Sequence, residues 1–220
     1  MPERINILFH GIGSPQRDLE LGEDKYWITE DAFLAILDEV ATWPSVGLSF
    51  DDSNSSDVEI ALPALLERGL TAEFFVLAGR LDRPGSLGED DLRSLIKNGM
   101  PVGNHGMWHH PWRAMSPAAA DEELAEARDR IAAVTGRPVT RAACPLGRYD
   151  RATLDALRRL GYTTVFTSDR RPARPGAWLQ PRFSVYHDDT PETVRAAVQR
   201  SRRLPVRARN AAAGAVKRWR

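Results

Sequence analysis

Short apolar or β-branched runs alternate with longer segments of helical period along nearly the whole chain, the signature of βα units feeding a parallel sheet. Runs over 5–12, 46–52, 71–78, 101–105, 140–146, 163–168 and 179–185 predict seven strands, a barrel-like number. Between them, patterns over 30–42, 55–68, 89–98, 117–135, 150–160 and 191–201 predict helices. Ser116-Pro117 and Thr190-Pro191-Glu192 each place a capping hydroxyl before a proline at the first helical position. Gly69, Gly99, Gly136 and Gly161 follow helical runs, where C-terminal caps belong.

The polar residues that stand out fall at or just beyond the C-terminal ends of the predicted strands. They are His10, Asp51, Asp52, His105, His109, the Pro145-Leu146-Gly147 turn, Ser168 and Asp169. In a parallel barrel or a doubly wound sheet this is the end where ligands bind, so the pattern predicts one site assembled from several loops. With 220 residues and 42% hydrophobic content, the chain suits one well-buried domain, expected over 1–199, followed by a tail over 200–220.

Two carboxylates directly after the apolar run Leu48-Ser49-Phe50 repel each other and lose solvation, which calls for a compensating cation or a proton-transfer task. His105 and His109 supply further ligands. Their spacing of four also suits a helix face, but Gly103, Gly106 and Pro111 around them favour a loop, and Gly106 stands where a helical zinc protease carries glutamate. One Asp with two His makes three ligands, the count that leaves a coordination position open, and one Asp then remains as a base. The competing readings are two surface histidines and a strand-end acid that caps the next helix. His110, next to His109, points to a different side of the backbone and either supports the site from behind or carries no role.

At this point the residues carry a resemblance. Ser49-Phe50-Asp51-Asp52, then Gly103-Asn104-His105-Gly106-Met107-Trp108-His109, then Pro145-Leu146-Gly147-Arg148-Tyr149-Asp150, resemble in order and separation the successive motifs of the polysaccharide deacetylase superfamily of carbohydrate esterases. The likeness implies an α/β fold, a distorted parallel (β/α) barrel of about seven strands. It also implies removal of an acetyl or similar acyl group from an acylated amino sugar or glycan, using a divalent metal for which zinc is the expected ion. By the same resemblance Asp51 is the general base, while Asp52, His105 and His109 hold the metal. A backbone donor of the Pro145-Leu146-Gly147 turn, at Leu146 or Gly147, then faces the acyl oxygen; separately, the aromatic residues near the motifs, Trp108, Trp112, Tyr149 and Trp178, either stack on a sugar ring or pack the barrel.

The chain departs from the family pattern in three places. Ser53 replaces the usual glycine after the aspartate pair, and Ala143-Cys144-Pro145 replaces an Arg-Pro-Pro core, so the arginine that orients the base must come from elsewhere; Arg148 and Arg182 are the candidates. The family's late Leu-x-His motif, whose histidine is the general acid, has Val185-Tyr186-His187 as its nearest counterpart, and His10 at the end of the first strand is the preferred alternative. These departures also leave room for a catalytically silent barrel that binds sugar or metal.

Composition narrows the partners. Thirty Lys+Arg balance thirty Asp+Glu, so no global field recruits nucleic acid. The basic residues Arg200, Arg202, Arg203, Arg207, Arg209, Lys217, Arg218 and Arg220 run without an intervening acid, which predicts a solvated, partly disordered tail with at most weak contact to a membrane surface. A single cysteine, Cys144, excludes an internal disulfide and fits a reducing compartment. The apolar run after Met1-Pro2-Glu3-Arg4 is too short for a signal peptide, so the expected location is cytoplasmic.

Overall fold

The expected strands form one parallel sheet in the computed structural model, which describes residues 3–219. In chain order they are β1 (Ile5–Phe9), β2 (Val46–Phe50), β3 (Ala72–Val76), β4 (Val102–Asn104), β5 (Arg141–Ala143), β6 (Thr164–Thr167), β7 (Leu179–Pro181) and β8 (Phe183–Ser184). Every pairing is parallel, β1 through β6 adjoin in sequence order, β7 pairs with β6, and β8 pairs with β1. Only Arg182 separates β7 from β8. The single predicted run over 179–185 is therefore one segment that changes partners at Arg182 and joins the two ends of the sheet into a barrel.

Helices surround the sheet: α1 (Glu30–Ala41), α2 (Leu62–Glu67), α3 (Glu89–Lys97), α4 (Pro117–Asp121), α5 (Ala127–Thr135), α6 (Arg151–Arg159), α7 (Pro191–Ser201) and α8 (Leu204–Trp219). The Ser116 and Thr190 hydroxyls cap α4 and α7 as expected, and Gly69, Gly99, Gly136 and Gly161 all adopt positive φ. Two predicted helices are interrupted. A π turn over Asp57–Ala61 precedes α2, and another over Glu122–Glu126 separates α4 from α5. Such turns are rare and frequently occur at functional sites. The region beyond residue 203, expected to be a solvated tail, forms α8 instead. None of the described helices is long and apolar enough to cross a membrane.

Side chains alternate across each strand and so divide into two layers. Outward-facing Phe9, Phe50 and Phe74 lie in register on β1, β2 and β3. Phe50 stacks on both neighbours, at 5.4 and 4.9 Å between ring centroids, and Phe33 of α1 meets Phe9 edge-on at 5.2 Å. This layer glues the helices to the barrel. The inward layer is more polar. It holds Ser49, Arg182, Phe75 and Phe166, and Gly103 is needed beside them because a Cβ there would lie 2.5 Å from the Phe75 ring. Above this floor the C-terminal strand ends open into a cavity.

Phe50 is fully buried between two stacked rings, so Phe50→Ala should destabilise the fold by about 3–5 kcal/mol. Urea unfolding followed by tryptophan fluorescence measures this, and a loss below about 1 kcal/mol would mean that the outer layer carries little of the stability.

Candidate metal and catalytic site

In a regular strand Asp51 and Asp52 would face opposite sides of the sheet. Asp51 still belongs to the ladder, its N–H bonding to the Phe9 carbonyl at 3.2 Å. Asp52 then enters the left-handed region at φ 76° and Ser53 follows at φ 60°, which breaks the alternation and brings both carboxylates to one cavity. Left-handed conformations for non-glycine residues cost on the order of 1–3 kcal/mol each and persist where surrounding bonds enforce them. Ser53 supplies such bonds. Its Oγ accepts from Leu77 N–H at 2.8 Å and its carbonyl accepts from Leu87 N–H at 2.9 Å. The left-handed backbone explains why glycine suits this position, and neither aspartate caps the following helix.

Asp51 is held by Arg182 in a two-pronged ion pair, both Nη–Oδ distances being 2.7 Å. Arg182 is fully buried, gives a further bond to Ser49 Oγ at 3.1 Å, and lies 5.2 and 5.7 Å from the Phe75 and Phe166 ring centroids. Of the two arginines considered from the sequence, Arg182 therefore partners Asp51, and Arg148 is exposed at the cavity rim.

Asp52, His105 and His109 converge beside this pair. The Asp52 Oδ1 atom is 3.3 Å from His105 Nε2 and 3.4 Å from His109 Nε2, and one ligand atom from each residue lies within 4.8 Å of the others. Ligands at zinc bond lengths in a tetrahedron stand roughly 3.4 Å apart, so the spacing suits a single ion. The donor chemistry agrees. His105 Nδ1 donates to the Ala143 carbonyl at 2.8 Å and His109 Nδ1 to Glu20 Oε2 at 2.7 Å, leaving both Nε2 lone pairs toward Asp52. Asp52 Oδ1 is buried with no hydrogen-bond donor of its own, as a carboxylate awaiting a cation would be. Burial opposes ionisation of Asp52; without a cation, protonated rings of His109, His105 and His10 would outweigh it and hold the carboxyl well below its usual range, the charge that a metal ion would supply instead.

Two further carboxylates support the site without facing the ligand position. Glu123, buried in the second π turn, accepts from Met107 N–H at 2.8 Å and Trp108 N–H at 3.3 Å, which fixes the loop between the two histidines. Gly106 in that loop has φ 100°, and a Cβ there would lie 2.2 Å from Glu123 Oε2. Asp57 lies buried in the first π turn. Burial, reinforced by repulsion from Asp52 and Asp51, pushes its carboxyl well above the usual range and toward its neutral form.

The cavity measures about 320 Å³ and is lined by the metal-ligand candidates together with Asp51, His10, Glu20, Tyr26 and Leu146. His10 stacks against Tyr26 at 4.6 Å, its Nδ1 is buried without a partner, and burial lowers its pKa despite the opposing fields of Asp52 and Asp51. His187 is placed elsewhere, exposed on the surface with its N–H bonded to the Lys25 carbonyl. In the third-motif turn Pro145 has no N–H and Gly147 N–H bonds to the Cys144 carbonyl, so Leu146 N–H is the donor left to the turn. Leu146 itself is left-handed at φ 55°.

Trp108 and Tyr149 do not line this cavity. Trp108 is exposed beside it, its Nε1 donating to Glu122 and Arg83 lying over its ring. Tyr149 is buried, bridges to Trp112 through the backbone, and donates its hydroxyl to Asp169 at 2.7 Å. Gly147 lies behind Leu146 in a small cleft against α8. Glu20, Tyr26 and Glu123 escaped the sequence reading because no motif spacing marks them; Glu20 and Tyr26 sit in the long β1–α1 connection, and Glu123 in an ordinary helical run.

Residues 39–165 match the family model for polysaccharide deacetylase. The chain belongs to that family, whose members remove acetyl groups from polysaccharides. The Bacillus subtilis protein YxkH, which carries the same family name, is 23% identical over 193 residues, covering 80% of this chain and 67% of its own. Among solved structures, the Streptococcus pyogenes deacetylase PplD in complex with acetate superposes with a TM-score of 0.77 at 18% identity, over 90% of this chain and 98% of that one. IcaB from Ammonifex degensii gives 0.72 at 22% identity, over 89% and 97%. These structures share the barrel fold.

Arg182→Met should destabilise the protein by about 3–5 kcal/mol, because it strands the buried Asp51 charge, whereas Arg182→Met combined with Asp51→Asn should recover part of that loss. Urea titrations of both variants test this; a double variant no more stable than the single one would show that the pair is not what matters. Glu20→Ala should weaken zinc binding by about 10–100-fold by freeing the His109 ring, as read by competition with a chromophoric chelator. Unchanged affinity would remove Glu20 from the site.

Proposed function

We propose that this family member is a metal-dependent deacetylase acting on an N-acylated amino sugar or glycan. The observation that supports this most is the placement of an Arg182-held carboxylate, Asp51, 3.7 Å from His105 and directly beside the Asp52–His105–His109 cluster. A divalent ion such as zinc, held by those three residues, supplies Lewis acidity that makes water a nucleophile near neutral pH and polarises the acyl carbonyl.

The residues of the chain do the rest. Asp51 removes a proton from the attacking water, and the two bonds from the Arg182 guanidinium keep its carboxylate aimed. In this reading Leu146 N–H donates to the acyl oxygen as negative charge develops there, with little reorganisation because the turn is already formed. His10 gives a proton to the departing nitrogen; burial makes its conjugate acid a stronger donor. The silent-barrel reading drew on the missing arginine and the uncertain acid. Arg182 beside Asp51 and His10 on the cavity wall support the active reading over it.

Acetate release from a panel of N-acetylated amino sugars and their oligomers, with zinc and with chelator, tests the reading. Asp51→Asn should lower turnover by about 10²-fold or more while leaving metal bound, and His105→Ala should lose both. A zinc-loaded protein that released no acetate from any of these substrates between acid and alkaline pH would overturn it.

A further inference from the structure

The turn that carries Leu146 into the cavity is held from outside the barrel by α8. Leu146 and Gly147 are consecutive left-handed residues, at φ 55° and 61°, and between buried Pro145 and Gly147 the Leu146 side chain is exposed, so it adds no packing of its own to hold the turn. Lys217 of α8 reaches it. Its Nζ donates to the Gly147 carbonyl at 3.0 Å and to Asp169 Oδ1 at 2.7 Å, and lies 5.3 Å from the Tyr149 ring centroid.

Asp169 is an anchor. Its side chain is almost wholly buried, and its other oxygen accepts from the Tyr149 hydroxyl at 2.7 Å and from Thr167 Oγ1 at 2.9 Å. Burial opposes ionisation, but Lys217 and the two hydroxyls hold the carboxyl below its usual range. One ammonium thus bridges the connection after β5 to the connection after β6.

We propose that Lys217 is a positioning residue, and that α8 is a strap keeping the Pro145–Gly147 turn in the shape that presents Leu146 N–H to the acyl oxygen. This deepens the deacetylase reading and rests on it for its catalytic consequence, though not for the strap. Without the ammonium, the Gly147–Arg148 peptide that carries this carbonyl is free to turn, and the Arg148 N–H bond to the Pro145 carbonyl, 3.0 Å long and closing the turn around Leu146, loosens with it.

Hydrogen exchange by mass spectrometry on the zinc-loaded full chain separates the two parts. In Lys217→Met, a peptide covering residues 144–149 should exchange about tenfold faster, while peptides containing Asp51–Ser53 and His105–His109 stay as in the wild type. Deletion of residues 204–220 should reproduce this and Lys217→Arg should reverse it. Unchanged exchange in both Lys217→Met and the deletion, or equal acceleration in all three peptides, would overturn the strap.

Acetate release then reads the consequence. Lys217→Met should lower kcat about tenfold with KM within twofold, since the donor acts on charge that appears in the transition state; complete loss of one such donor costs about 10²–10³. Faster exchange with unchanged kcat would overturn the positioning role. A wild type that released no acetate would defeat the deacetylase reading and leave the exchange result to decide the strap.

Discussion

The buried pair between Arg182 and Asp51 ties the architecture to the chemistry. Arg182 is the residue at which the last strand segment leaves β6 and turns to β1, so the point of barrel closure is also the point from which the guanidinium reaches Asp51. Taking two charges out of water costs several kcal/mol per ion, and good geometry with additional bonds is what compensates for it. Two parallel 2.7 Å bonds, a third to Ser49 and two aromatic rings beside the guanidinium provide that here. A closed barrel with apolar side chains at both positions would fold as well. It would have no oriented carboxylate beside the Asp52–His105–His109 cluster.

The site around this pair depends on backbone that a relaxed chain would avoid. Asp52, Ser53, His109 and Leu146 all have positive φ without being glycine. Each lies where a strand end turns into a loop, and each turn is braced by groups from other elements: Leu77 and Leu87 on Ser53, Glu123 on the histidine loop, and Lys217 beside Leu146. The second π turn belongs to this bracing, since it carries the buried Glu123 to the backbone of the histidine loop. Strain of this kind holds reacting groups in place before substrate arrives.

The order of elements was legible because periodicity and punctuation agree along the chain. Strand runs, hydroxyl-proline helix starts and glycine helix ends all point to βα units, and Asp51-Asp52 with His105 and His109 fall at the strand ends where a parallel sheet binds ligands. Element ends were less legible. The run over 140–146 contains Pro145, which begins a 3-10 turn after Ala143, and the helical patterns at 55–68 and 117–135 gave no warning of their π turns. The basic stretch read as solvated because its charges follow no acid partner nearby in sequence; the partner of Lys217 is Asp169, 48 residues earlier.

Local pattern thus set the fold class, the strand and helix order, and the residues able to bind a metal, because those features depend on side-chain period and residue chemistry over a few positions. Partnership across the barrel needed coordinates. Arg182 lies 131 residues from Asp51, and Glu20 lies 89 from His109. No spacing rule joins such pairs. They meet because barrel closure brings strand ends together and because one long connection folds over the mouth. Those same contacts separate His10, in the cavity, from His187, on the surface, two histidines that sequence chemistry alone treats as near equals.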